Sequence, residues 1–332
     1  MFLPLIVGWR GDRVDRADPL IQAVAAGRVA GVILFATDVP TGQRRNIRSP
    51  EQLRRLTSDL QAMAPQPLLI AIDQEGGTVQ RLRAEAGFIE TPAAADLGQG
   101  PIAPAEAAFD RQAAQLAELG INLNFAPVVD LAVDPDNPVI AGRGRSFGRD
   151  PAAVTALARL ALAAHRRHGV AACLKHFPGH GSSSTDSHLG LTDVTATWLP
   201  EELDPYRALA AEAPAVLVAH VMHRGMDPDR PASLSPAITQ ACLRTTLGFT
   251  GAVISDDMQM GAITDAWPFP ESAILALQAG CDLLIYGNNL IWQPTIVDDV
   301  ARAVEQALQD GRLSESHIKA AAVRTAALIP SA

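Results

Sequence analysis

Short apolar runs rich in β-branched residues recur along the chain, separated by segments in which apolar positions return every three or four residues. The runs are Leu3 to Gly8, Val29 to Phe35, Leu68 to Asp73, Ile121 to Pro127, Val170 to Phe177, Val216 to Met222, Ala252 to Asp256 and Asp282 to Tyr286. Several are continuously apolar rather than alternating, as a parallel strand covered on both faces should be. Between them, Ser49 to Met63, Ala103 to Leu119, Pro151 to His168 and Pro236 to Leu247 read as amphipathic helices, with Thr295 to Asp310 and Ser314 to Leu328 closing the outer ring. Ser49-Pro50, Asp150-Pro151 and Ser235-Pro236 each set a capping side chain before a proline at the first helical position. Eight strand-like runs, each followed by a helix-like one, predict an α/β fold, a single (β/α)8 TIM-type barrel, with residues 1–332 as one domain. An open doubly wound sheet would place a G-x-G-x-x-G turn after its first strand, whereas here the first run leads into GWRGDR. Thr37 to Arg48 is polar and irregular and reads as a loop leaving the second strand.

Composition narrows the function classes. The 332 residues are 48% hydrophobic, enough for a large core without covalent staples, and Lys plus Arg number 27 against 36 for Asp plus Glu, a formal charge of −9. An acidic balance disfavours nucleic acid as a partner, because sequence-independent binding depends on neutralising phosphates. Apolar stretches such as Val29 to Ala36 fall well short of the ~20 residues that cross a bilayer, so no membrane span is expected. The opening MFLPLIVGWRG has no basic n-region and reads as structure rather than a secretory signal. Cys173, Cys242 and Cys281 are odd in number and far apart, which encodes neither a disulfide framework nor a zinc ribbon and fits a reducing cytoplasm.

In a barrel of this kind the loops after the strands carry function. The third run ends in AIDQEGGTVQRL, the fifth in LKHFPGHGSSSTDSH, the sixth in AHVMH and the seventh in ISDDMQM. Ionisable groups placed directly after buried apolar runs are costly unless something pairs with them. Lys175 to His188 holds three of the eight histidines, and Pro178, Gly179 and Gly181 predict a long loop there. Asp186 lies two residues from His188, close enough to fix its tautomer and make it a candidate general acid. After the seventh run, alternation of faces turns one carboxylate of Asp256 and Asp257 toward the barrel axis, where it could attack an anomeric carbon. Asp257 is expected to cap the next helix. Asp73, Arg81 and Arg145 suit several hydroxyls at once, although each could equally be a structural ion pair. A second reading uses His176, His180 and His188 as metal ligands of a barrel hydrolase, but no ligand pair stands at helical spacing and the first strand lacks H-x-H.

The set IDQEGGTVQRL, GRSFGRDP, KHFPGHGSSSTDSH, AHVM and ISDDMQMGAI resembles the β-N-acetylhexosaminidases of glycoside hydrolase family 3, in particular the single-barrel enzymes of bacterial cell-wall recycling. The motifs stand in the family's order from about Gly8 to Tyr286. The resemblance implies a retaining exo-β-N-acetylglucosaminidase acting on muropeptides or chitooligosaccharides, with no cofactor and no metal. It implies that Asp256 is the nucleophile, His188 the acid/base and Asp186 its orienting partner. It assigns sugar binding to Asp73, Arg81, Arg145, Lys175 and His176, and pocket lining to His220. Two features depart from the family's pattern: the length and basic character of Thr37 to Arg48, and the run Ser182-Ser183-Ser184. Both bear on the outer subsite.

Overall fold

The computed structural model describes residues 3–185 and 190–329. Eight strands form a closed, all-parallel ring: β1 (Leu3–Val7), β2 (Val29–Leu34), β3 (Leu69–Ile72), β4 (Leu123–Asn124), β5 (Ala171–Phe177), β6 (Ala215–Val218), β7 (Ala252–Asp257) and β8 (Leu283–Tyr286). Each pairs with its neighbours in sequence, and β1 closes the ring on β8 with Leu5 beside Leu284 and Val7 beside Tyr286. The expected (β/α)8 barrel is the fold found.

Alternation along the strands divides their side chains between two cores. Ile6, Ile33, Leu69, Ala71, Leu123, Ala171, Cys173, Ala215, Leu217, Ala252, Ile254, Leu283 and Ile285 fill the barrel interior, and Leu328 from the last turns of the chain joins them from below. The intervening residues pack outward against the helices in a larger cluster. Beneath β8 the wholly buried Asp282 binds two arginines: Arg324 donates from Nε and Nη2 at 2.9 and 2.6 Å, and Arg244 from Nη2 at 2.5 Å.

The caps form as expected. Ser49 Oγ accepts from Gln52 N at 3.2 Å, Asp150 Oδ1 from Ala152 N at 3.1 Å and Ser235 Oγ from Ile238 N at 3.1 Å. Three elements differ from the expectation. The fourth run keeps only two residues of regular strand, because Pro127 has no N–H to continue the ladder. Its neighbours still bond across, Phe125 N to Ile72 O at 2.8 Å and Val129 N to Lys175 O at 2.9 Å. The segment Ala237–Thr246 is helical but wound with bonds five residues back, Leu247 N to Cys242 O at 3.0 Å. There the Thr245 and Thr246 hydroxyls bond the carbonyls of Gln240 and Ala241, both at 3.0 Å. The sixth run also divides: Val221–Met222 leaves the barrel to pair with Thr192–Asp193. No helix among the described residues is long and apolar enough to cross a membrane.

Candidate active site

Two residues beyond the interior Ala71, Cys173 and Ile254 stand Asp73, Lys175 and Asp256. The ladder shifts register beside Lys175 and Asp256, so it is contact rather than alternation alone that places these charged groups at the mouth of the barrel. The buried Cys173 thiol below them reports the same arrangement. Burial pushes its pKa far up, and the charges acting on it are those of Lys175, Asp73 and Asp256.

Lys175 is the centre of the array. Its ammonium reaches Asp73 Oδ1 at 2.9 Å and Glu75 Oε1 at 2.7 Å, and Arg81 Nη2 donates to Asp73 Oδ2 at 3.2 Å. Arg145 clamps Glu75 with two bonds of 2.8 Å, Nε to Oε2 and Nη2 to Oε1. Burial alone would raise both carboxyls. Instead Lys175 and Arg81 hold Asp73 far below the usual range, and Arg145 and Lys175 bring Glu75 down to about 2. Burial likewise opposes the charge on Lys175, and the two carboxylates outweigh it and raise its pKa. The cluster therefore stays charged across the neutral range, presenting fixed donors and acceptors to a polyhydroxylated ligand.

Local sequence builds this arrangement. The buried Gln74 folds the segment after β3 back on itself, accepting from the N–H groups of Arg81 and Leu82 at 2.9 and 3.0 Å. Gly76 sits at φ +112°, and a Cβ there would lie 2.2 Å from the Pro92 carbonyl. Phe35, at the end of β2, receives guanidiniums from two directions, Arg45 at 5.1 Å and Arg81 at 5.5 Å from its ring centre.

His176 follows Lys175 through a cis peptide bond. Its Nδ1 lies 2.6 Å from Asp130 Oδ2 and its Nε2 3.1 Å from Arg145 Nη2. A guanidinium can only donate, so Nε2 accepts and the ring proton sits on Nδ1, facing the carboxylate. Both ring nitrogens are thus engaged by protein, which removes His176 from the metal-ligand alternative. Asp130 also accepts from the backbone N–H of His180 at 2.8 Å, and His176 with its ring holds its carboxyl low against the opposing effect of burial. Burial lowers His180 itself to about 4, and its Nδ1 meets Ser183 Oγ at 2.6 Å.

On β7, Asp256 Oδ1 accepts from Asp257 N at 2.8 Å. Asp257 accepts from Gln259 N at 3.1 Å and Gly287 N at 3.3 Å. It therefore caps the turn after β7 and ties it to β8, whereas the helix that follows, Gly261–Thr264, starts at Met260. His220 is wholly buried beside this strand end, Nε2 donating to the Asp257 carbonyl at 3.0 Å and Nδ1 2.6 Å from Ser233 Oγ. Asp186 and His188 lie outside the described residues. The array thus brings together Asp73, Arg81, Arg145, Lys175 and His176, with Asp256 acting on the same buried thiol as Asp73 and Lys175.

The family-model comparison matches residues 13–328 to the glycosyl hydrolase family 3 N-terminal domain. The chain belongs to glycosyl hydrolase family 3. This family-3 barrel is 40% identical over 304 residues to a beta-hexosaminidase of Alkalilimnicola ehrlichii, covering 86% of this chain and 81% of that one. It superposes with a TM-score of 0.88 and 34% identity on a family-3 β-N-acetylglucosaminidase of Paenibacillus sp., covering 98% of this chain but spanning only 60% of the other's length. NagZ of Neisseria gonorrhoeae, solved with N-trifluoroacetyl-D-glucosamine, aligns with a TM-score of 0.75 and 30% identity over 98% of both chains. The family-3 barrel is a glycoside hydrolase.

Two of its site residues were not singled out from sequence. Glu75 stands two positions beyond Asp73 and shares its face. Asp130 ends the apolar run FAPVVD, so the strand-end rule that marks Asp73 and Asp256 also marks it.

Proposed function

We propose that this family-3 barrel is a retaining exo-β-N-acetylglucosaminidase, a β-N-acetylhexosaminidase that removes terminal non-reducing β-linked N-acetylglucosamine. One observation carries the reading: Asp256, at the end of β7, acts on the same buried Cys173 thiol as the Asp73 and Lys175 of the Asp73–Lys175–Arg81 array. The carboxylate of Asp256 attacks the anomeric carbon while protonated His188 gives its proton to the leaving oxygen, leaving a glycosyl ester. Neutral His188 then takes a proton from water, which attacks the same carbon and frees Asp256. Asp186 orients the imidazole. Asp73, Arg81, Arg145, Lys175 and His176 hold the sugar through its hydroxyls and N-acetyl group, and His220 lines the pocket from below.

The assignment of His188 and Asp186 is supported by the D-S-H triplet in sequence, and the choice of sugar by the relatives' names and by the N-acyl-glucosamine ligand of the Neisseria enzyme. The whole chain acts as one catalytic domain, without a cofactor. Its acceptor side takes muropeptide fragments or chitooligosaccharides, and three free thiols fit a cytoplasmic setting.

The test sets chitobiose beside a muropeptide fragment and follows product by proton NMR. N-acetylglucosamine should emerge first as the β anomer from at least one of the two. Initial α anomer overturns the retaining mechanism, and no release from either overturns the reading. The acid role has its own signature. His188→Ala should slow cleavage of poor leaving groups by about 10²- to 10⁴-fold. A dinitrophenyl leaving group, which needs no proton, should lose least in the first step. An equal loss across leaving groups contradicts the role.

A further inference from the structure

The chain after β5 returns past the mouth as an arm, residues 179–183, held from two sides. On one side are the residues after β4. Asp130 accepts from His180 N at 2.8 Å, and Asn137 Nδ2 donates to the carbonyls of His180 and Gly181 at 2.8 and 3.1 Å. On the other side is Glu202, in the short turn Pro200–Leu203, with 1% of its surface exposed. Glu202 Oε1 accepts from Leu199 N at 3.1 Å, while Oε2 has no formed bond. The arm rests directly on this carboxyl. Gly179 has φ +128°, and a Cβ there would lie 2.7 Å from Glu202 Oε2 and 2.8 Å from Glu202 Cβ. The Ser182 hydroxyl, buried and without a formed bond, and Gly181 N–H are the arm's donors nearest to Glu202.

We propose that Glu202 is a positioning residue: its carboxyl supports the arm from beneath, fixes the His180 N–H on Asp130, and through Asp130 sets the His176 ring at the mouth. The groups acting on Glu202 agree with a neutral support. Burial pushes it up to about 7, with Asp130 adding to the rise and Ser182, Leu199 N and Gly181 N opposing it. Tyr206, whose hydroxyl is buried without a formed bond, feels both Asp130 and Glu202. Among the described residues, the titratable groups coupled to Glu202 are Asp130 and Tyr206, both of which work against a charge on it. Ionising Glu202 sets a second buried carboxylate beside Asp130, and the arm loosens. The folded value stands above the ordinary 4.5, so the stabilising share of Glu202 is complete below pH 4.5 and lost as pH rises through about 7.

The structural half of this inference stands alone; the kinetic half rests on the proposed glycosidase reading. Hydrogen–deuterium exchange of a peptide covering 179–183, corrected for intrinsic rates, separates them. From pH 6 to pH 8 the neutral fraction of a group titrating near 7 falls about tenfold. Protection of the arm should fall to match in the wild type. Glu202→Gln, always neutral, should keep its protection at both pH values. Glu202→Ala should be poorly protected at both. Equal pH dependence in the wild type and Glu202→Gln overturns the proposal. With a dinitrophenyl β-N-acetylglucosaminide, the wild-type kcat should decline through pH 7 and the Glu202→Gln profile should be flatter there. The expected exchange pattern with no hydrolysis by either protein upholds Glu202 and sinks the glycosidase reading instead.

Discussion

Asp256→Ala is expected to lower nitrophenol release from the β-N-acetylglucosaminide by roughly 10⁴-fold or more, the scale on which losing a nucleophile is felt. The fold should be unchanged, because Asp256 lies above the packed interior rather than within it, and its Oδ1 bond to the Asp257 N–H is local. Asp257→Ala makes the control. That carboxylate holds the turn to Gln259 and the neighbouring strand at Gly287, so its loss should appear chiefly as a lower melting temperature. Activity of Asp256→Ala within tenfold of wild type would remove the covalent mechanism from consideration, whichever sugar is used.

The largest stability effect is expected far from that mouth. Asp282 precedes β8 at the barrel's lower end and is wholly buried. It meets Arg244 and Arg324 and also accepts from Val253 N at 2.9 Å. Asp282→Ala leaves two guanidiniums without their counter-charge and removes a bond to β7. Breaking a buried ionic group in this way costs about 3–5 kcal/mol. Arg324 sits on the closing helix Glu315–Ala326, so that helix should loosen first. Denaturant titration measures the effect, and kcat well below the transition should stay at the wild-type level. A loss under about 1 kcal/mol would show that the arginines find other partners or water.

The barrel was legible because its strands are buried on both faces and its helices carry their own start signals. Ser49, Asp150 and Ser235 cap where their sequence context predicts, and each of the eight apolar runs yields a strand. The charged array was legible where ionisable residues directly follow apolar runs, as Asp73 and Lys175 do before meeting at 2.9 Å. Arg45 was hidden inside Thr37 to Arg48, which reads as polar loop. The residue is in fact 2% exposed, and its guanidinium bonds the carbonyls of Trp9, Gly287 and Asn288 at 2.8, 2.8 and 2.9 Å. No local pattern marks such a residue, since its partners are supplied by segments remote in the chain. The dual role of His176 was equally invisible, because the Asp130 and Arg145 that fix its ring come from the segment after β4. Glu202 reads as one acid in a charged turn, and only the chain folded over it reveals its burial.

The seam between β1 and β8 gives Arg45 a wider meaning. Every other neighbouring pair of strands is joined by one crossover, whereas this pair brings together residues separated by most of the polypeptide, Leu5 and Leu284. Its loop-closure entropy is the greatest in the ring, and contacts of high order form late and slowly. Arg45 spans that join from a third segment, gripping backbone on both sides. It works as a rivet across the hoop's last join, adding side-chain bonds from a third segment to the ladder that β1 and β8 already share.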